Sequence, residues 1–310
     1  MRRLVICCLL LLLLASCAAP AEENSPEPET PETPEETVPA ASEAEDRVLL
    51  TLEAPLAGGR TLTLEAFGRT LDEYSTGVRE VRVYDGADLL QTISVREATE
   101  IEWEFGDGVL NEEFYDYTEC WSPEETMEAL DLNFDGNTDF GLFGWKPNNT
   151  IPYYYWLWDT ETEQYRYAFT LQEAEVHPET KEVSAEYKSG SAGSQWITEY
   201  YKPDENGGLF LDRIERDNGD FEPESGNLDY ERGWAQETWA PPENADPIRP
   251  GTPDLSIEGD LVLIRREIPV YEINGDGAIS HFTEIWELQD GKLQMTSREE
   301  QGELFHVTIG

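Results

Sequence analysis

The strongest constraint on this chain is an alternation of period two. Residues 61–66 read TLTLEA, so Leu62, Leu64 and Ala66 alternate with Thr61, Thr63 and Glu65. Residues 100–105 read EIEWEF, so Ile101, Trp103 and Phe105 alternate with Glu100, Glu102 and Glu104. A strand sends successive side chains to opposite faces, so such runs put one face in a core and the other in water. Turn signals punctuate them at Asp85-Gly86, Gly106-Asp107-Gly108, Asn206-Gly207-Gly208, Asn274-Gly275-Asp276-Gly277 and Asp290-Gly291. Helical signal is confined to a capping-box start at Ser122-Pro123-Glu124-Glu125, followed by Met127 and Leu130. That stretch reads equally as a loop feeding a strand over 129–134. The fold class that follows is all-β and antiparallel.

A short internal likeness refines this expectation. Residues 197–211 (ITEYYKPDENGGLFL) and 282–295 (FTEIWELQDGKLQM) share an apolar-Thr-Glu start, an aromatic, a turn and a leucine strand. Residues 154–169 (YYWLWDTETEQYRYAF) form a third strand-turn-strand of that size. Hairpins over 176–183 and 271–279 precede the two later units. Recurring hairpin pairs at blade-sized spacing favour a β-propeller-like fold of antiparallel four-stranded blades with one calcium loop. A generic sandwich or barrel meander yields similar likenesses.

The N-terminus, MRRLVICCLLLLLLASC, has a positive start, an apolar run and small residues meeting Cys17. It reads as a secretory signal over 1–16 with a lipobox, so that Cys17 is lipidated and anchors the chain to a membrane from the extracytoplasmic side. Two acyl chains anchor stably where one does not. An ordinary cleaved signal uses the same letters. Residues 17–46 are rich in proline and glutamate and contain no aromatic residue. Such a stretch buries too little apolar surface to order itself and reads as a disordered tether. At ~3 Å per residue it reaches at most roughly 90 Å. Residues 47–310 make the β domain, interrupted over 232–256 by a proline-rich irregular insertion carrying Trp234 and Trp239. These two tryptophans either plug a core or anchor a partner. Once Cys7 and Cys8 leave with the signal and Cys17 carries lipid, Cys120 has no disulfide partner within the chain. It reads as a small buried apolar residue.

Residues 131–140, DLNFDGNTDF, pose the sharpest chemical question. Calcium takes six to eight oxygen ligands, and a chain wraps it when oxygen side chains recur at every second residue with a glycine at the turn. Asp131, Asn133 and Asp135 stand at positions one, three and five, with Gly136 next. Asn137 offers its backbone carbonyl, and Asp139 ligates directly or through water. Leu132, Phe134, Phe140 and Leu142 are left to lock the loop into a core. Position twelve is Leu142 rather than a bidentate glutamate, so affinity on the order of 10⁻⁴ to 10⁻³ M is expected. A polar turn in an acidic chain accounts for the same letters. The stretch 272–277 with Ser280 is an imperfect echo and reads first as a hairpin turn.

DLNFDGNTDF, together with YYYWLWDTETEQYRY, HPETKEVSAEYKSGSAGSQWITEYYK and the upstream VRVYDGADLLQTI, resembles bacterial exported proteins with a single FG-GAP-like calcium loop. The resemblance spans roughly Leu49 to Arg216. It implies a β-propeller-like, calcium-binding, non-enzymatic domain. Members of that family include periplasmic inhibitors, or immunity proteins, of lysozyme-like peptidoglycan hydrolases. Asp131, Asn133, Asp135, Asn137 and Asp139 carry over as calcium ligands.

No nucleophile elbow, phosphate loop or zinc signature appears, and His177, His281 and His306 lack metal-ligand spacing. Adjacent acids such as Glu112-Glu113 are expected by chance in so acidic a chain. The reading is therefore a binding protein rather than an enzyme. A net charge of −45 repels nucleic acid and attracts cationic proteins, among which a basic cell-wall hydrolase fits. The alternative is a surface glycan-binding module using the aromatic run Tyr153, Tyr154, Tyr155, Trp156 and Trp158. In alternation, Tyr154, Trp156 and Trp158 share one face, which most naturally fills a core.

Overall fold

The computed structural model describes residues 45–99, 116–145, 151–189, 195–217, 230–251, 261–273 and 275–306. The expected signal over 1–16, nearly all of the expected tether, Cys17 and the alternation over 100–105 lie outside the described residues. No helix among the described residues is long and apolar enough to cross a membrane.

The described strands form three antiparallel sheets. The first is a meander of β1 (Arg47–Pro55), β2 (Thr61–Asp72), β3 (Ser75–Asp85) and β4 (Asp88–Ser94). The second is β5 (Met127–Leu130), β6 (Asp139–Phe143), β7 (Pro152–Asp159) and β8 (Gln164–Gln172), in that order. The third runs β9 (Ala174–His177), β10 (Glu182–Ser189), β11 (Gln195–Pro203), β12 (Leu209–Asp217), β14 (Gln236–Ala240), β15 (Val262–Ile273), β16 (Ala278–Gln289) and β17 (Lys292–His306). A short β13 (Tyr230–Arg232) lies along β15 beside β14.

The sheets are layered, with the second in the middle. Leu62, Leu64, Ala66, Val81 and Val83 of the first sheet pack with Phe140, Leu142, Tyr154 and Trp156 of the second. Tyr153, Tyr155, Phe169 and Leu171, on the opposite face of the second sheet, pack with Val183, Ala185, Ile197 and Leu211 of the third. β7 is thus buried on both faces, which explains a run of five aromatics broken only by Leu157. A strand between two layers has no water-facing side for polar residues to occupy. Phe140 stacks on Trp156 at 5.1 Å, and Tyr165 meets Phe140 edge-on at 5.0 Å. Each such pair contributes roughly 0.5–1.5 kcal/mol beyond its buried area.

The turns follow their chemistry. Asp290 and Gly291 join β16 to β17 with φ of 50° and 75°, the pair of positive angles that a two-residue I′ hairpin needs. Pro123–Glu125 is a single 3-10 turn leading into β5, so the helix candidate resolves as a loop feeding a strand, one that spans Met127–Leu130 rather than 129–134, where the chain has already turned into the polar loop.

Two expectations are revised. The stretch 232–256 is not irregular throughout. Gln236–Ala240 forms β14, paired with β12 on one side and β15 on the other. Those five residues contain no proline and present Gln236 and Thr238 opposite in face to Glu237 and Trp239; the proline run starts only at Pro241. Within the stretch, Trp239 packs partly against the second core while Trp234 is exposed. In addition, the hairpins over 271–279 and 282–295 are not separate, because both use β16. They continue the third sheet rather than build a further four-stranded unit.

Candidate functional site

The loop over 131–138 joins β5 to β6. Leu132 is fully buried in the second core, and Phe134 packs against that core in part. Phe134 and Gly136 take φ of 58° and 85°, so the chain turns twice through the left-handed region within three residues. Glycine adopts this conformation without cost, whereas phenylalanine is held there by its contact with the core.

The polar side chains close the loop on itself. The Asp131 carboxylate accepts from the Asp135 N–H at 3.1 Å and the Gly136 N–H at 3.0 Å. The Asp135 carboxylate accepts from the Asn137 N–H at 2.8 Å and from its side-chain amide at 3.0 Å. Asp139 is fully buried and accepts from the Leu132 N–H and the Trp158 N–H, both at 2.9 Å.

The same loop also reaches both neighbouring sheets. Asn133 donates from Nδ2 to the Gly207 carbonyl at 2.9 Å, in the turn between β11 and β12 of the third sheet. Asn137 Oδ1 accepts from the Ala57 N–H at 3.0 Å, and Thr138 donates to the Pro55 carbonyl through N–H at 3.1 Å and hydroxyl at 2.7 Å. Pro55 is the last residue of β1 and Ala57 lies in the turn that follows it, both in the first sheet. Sequence reasoning missed this junction because hydrogen bonds between residues more than seventy positions apart have no local pattern.

The electrostatics fit a hard cation in kind. Burial pushes the Asp139 carboxyl up to about 8, against its two N–H donors and reinforced by the charges of Asp135 and Asp131. Burial also raises Asp131; the Gly136 N–H opposes that rise and the charge of Asp135 adds to it. Carboxylates crowded in one loop make each other costly to ionise, and a divalent cation relieves that cost. Among the described residues, however, no three carboxylate, imidazole or thiolate groups converge closely enough to hold an ion by themselves. A cation here would take its ligands from Asp131 and Asp135 together with Asn133 and backbone carbonyls. Asp139 is the least available of the five: like Asp131 it holds a backbone N–H on each oxygen, but unlike Asp131 it is fully buried.

The loop also walls a groove of about 570 Å³, completed by the β7–β8 and β11–β12 turns. Asp135, Glu161 and Glu205 line it, and Arg166 lies there paired with Asp159 at 2.8 Å.

Comparison with protein-family models, curated proteins and solved structures finds no match. Identification therefore rests on the chain's own residues.

The other singled-out residues lie apart. Cys120 is fully buried, its Sγ within 3.2 Å of the Thr76 and Ser122 carbonyls. His177 pairs with Ser184 Oγ at 2.8 Å on the third sheet. His281 stacks on Tyr271 at 4.8 Å, and burial lowers its pKa. Tyr153, Tyr154, Tyr155, Trp156 and Trp158 are all buried, so none can stack on a ligand from solvent.

Proposed function

We propose that this chain is a membrane-anchored, extracytoplasmic, non-catalytic binding domain, stabilised by calcium at loop 131–139. Its partner is proposed to be a cationic protein of the lysozyme-like cell-wall hydrolase class, which it inhibits. The observation that carries the stability half of this reading is the loop itself: one aspartate-rich segment hydrogen-bonds to all three sheets. Calcium bound there supplies the positive charge that Asp131 and Asp135 lack. The leader ending at Cys17 and the tether over 17–46 support the location. The three layered meanders support a propeller-like scaffold in which the first two sheets and strands β9–β12 act as consecutive blades.

The partner half rests on charge. With 66 acidic against 21 basic residues, long-range attraction steers basic proteins toward the chain and polyanions away. The acidic groove beside the loop is the surface proposed to meet such a partner.

Two measurements test the reading separately. Thermal melting with calcium and with EDTA addresses the loop; coincident transitions refute the metal. Mixing the purified chain with a panel of lysozyme-like muramidases addresses the partner; absence of both complex and inhibition in calcium removes the inhibitor role.

The alternative, a glycan-binding module, loses its first set of aromatics to the core. One exposed surface favours a different version of it.

A further inference from the structure

We propose that the outward face of the third sheet is a binding platform for a neutral glycan. This develops the glycan reading and rests neither on calcium nor on a hydrolase partner.

The face is built by register. Ala185, Ile197 and Ile214 point into the second core, so their neighbours along each strand point out. Cross-strand pairing then aligns Glu186, Thr198, Glu215, Thr238 and Arg265 in one row across β10, β11, β12, β14 and β15. A second row on the same face aligns Trp196, Asp217, Gln236 and Glu267. The two rows line one open groove of about 680 Å³. Five strands at ~4.8 Å spacing give it a span of roughly 19 Å, the scale of an oligosaccharide.

Its chemistry selects the class of ligand. The guanidinium groups are already matched: Arg213 donates to Glu215 at 2.8 Å, and Arg265 to Glu267 at 3.0 Å and Glu287 at 3.1 Å. With these guanidinium groups paired and carboxylates in excess on the lining, the groove disfavours a phosphate, and the salt dependence of binding separates a neutral glycan from a lysine-rich peptide. The paired charges still present fixed acceptors and donors side by side, interleaved with the hydroxyls of Thr198 and Thr238 and the amide of Gln236. Hydroxyl groups of a sugar both donate and accept, and so match such a mixed array. At the end of the second row, Trp196 is 40% exposed, with the Lys188 ammonium 4.6 Å from its ring centroid. With Lys188 over one face of the indole, the part of Trp196 that stays exposed is the apolar surface on which the C–H face of a pyranose packs.

The test is native affinity electrophoresis of the full chain through gels containing hydroxyethylcellulose, mixed-linkage β-glucan or arabinoxylan, alongside pull-down on chitin beads. At least one neutral polymer should retard or retain the chain, and high salt should not release it. Trp196→Ala and Gln236→Ala should each weaken that binding by roughly tenfold, while Trp196→Phe preserves most of it. Melting curves of the three variants serve as the fold control. The proposal is overturned if no neutral polymer binds, or if binding survives both Trp196→Ala and Gln236→Ala. It is also overturned if the face binds only polylysine or lysozyme and salt releases them, which would assign it to a cationic protein. None of these outcomes bears on the EDTA experiment; the lysozyme arm alone touches the muramidase panel, and loss of neutral-polymer binding overturns this proposal whatever that panel shows.

Discussion

The substitution Glu128→Gln should stabilise this protein in alkaline solution and leave it unchanged in acid. Glu128 stands on β5 and pairs across β6 with Gly141, which in turn pairs with Tyr155 on β7. Because Gly141 has no side chain, the Tyr155 hydroxyl reaches over β6 and donates to Glu128 at 3.0 Å. The same hydroxyl accepts from the Ala174 N–H at 2.8 Å, so the relay ends on β9 of the third sheet. A Cβ at position 141 would lie 2.5 Å from the Tyr155 ring, so alanine there must push the tyrosine away. Burial raises the Glu128 carboxyl from its ordinary 4.5 to about 7; the Tyr155 bond opposes this and the charge of Glu173 adds to it. A carboxyl whose folded value exceeds its unfolded value favours folding fully below the unfolded value and loses that contribution as pH rises through the folded one. The loss therefore falls between 4.5 and about 7. At about 1.4 kcal/mol per unit the span is worth on the order of 3 kcal/mol, and about 2 after allowing for the part of the carboxylate that faces solvent. Glutamine keeps an acceptor for Tyr155 and cannot ionise. Urea unfolding of both proteins at about pH 5 and about pH 8 should show the difference growing from about 0.5 to about 2 kcal/mol in favour of the variant. Because only the difference between the two proteins is read, repulsion among the remaining acids cancels. A difference that stays constant across this range would refute the placement of Glu128.

Three further outcomes follow from the layered core and its junction. Asn133→Ala should cost about 1 kcal/mol by losing the Gly207 bond, and Thr138→Val about as much by losing the one bond from its hydroxyl to Pro55. The two losses should add if the loop holds the first and third sheets independently, which a double-mutant cycle measures. Calcium at about 10 mM should raise stability by roughly 1–3 kcal/mol for a site of 10⁻⁴ to 10⁻³ M affinity, and Asp131→Asn should abolish that gain in a melting assay. Trp156→Ala should cost about 3–5 kcal/mol, read by urea unfolding, since the indole is fully buried and stacked on Phe140.

Much of the first sheet was legible because its code is local. Leu62, Leu64 and Ala66 alternate in sequence, and all three are fully buried. The Asp290-Gly291 hairpin was legible because two residues suffice to set its angles. The aromatic run was half legible. Alternation assigned Tyr154, Trp156 and Trp158 to a core, but gave no reason for Tyr153 and Tyr155 to be buried as well. The signal was the absence of polar residues between them, which marks a strand covered on both sides. β14 was hidden by the prolines that follow it. The polar rows of the third sheet were invisible, since the register across five strands depends on turns and bulges far apart in sequence.

The candidate site illustrates the same limit from the opposite side. Spacing picked out five polar residues as one loop, and the structure does bring Asp131, Asn133, Asp135 and Asn137 into a single hydrogen-bonded turn. Spacing could not show that Asn133 and Asn137 also face outward to different sheets. That double duty separates a metal effect from a merely local one. Anything that orders the carboxylates of this turn also holds the two asparagines in the geometry that clasps the first and third sheets. A ligand confined to a floppy surface loop would order that loop and leave global unfolding untouched. Binding at this junction should instead move the whole cooperative transition, and should move it less once Thr138, which is not among the ligands, has been replaced by valine. If calcium shifts the Thr138→Val chain as far as the native one, the turn binds its ion as an isolated unit, and site and scaffold are not coupled.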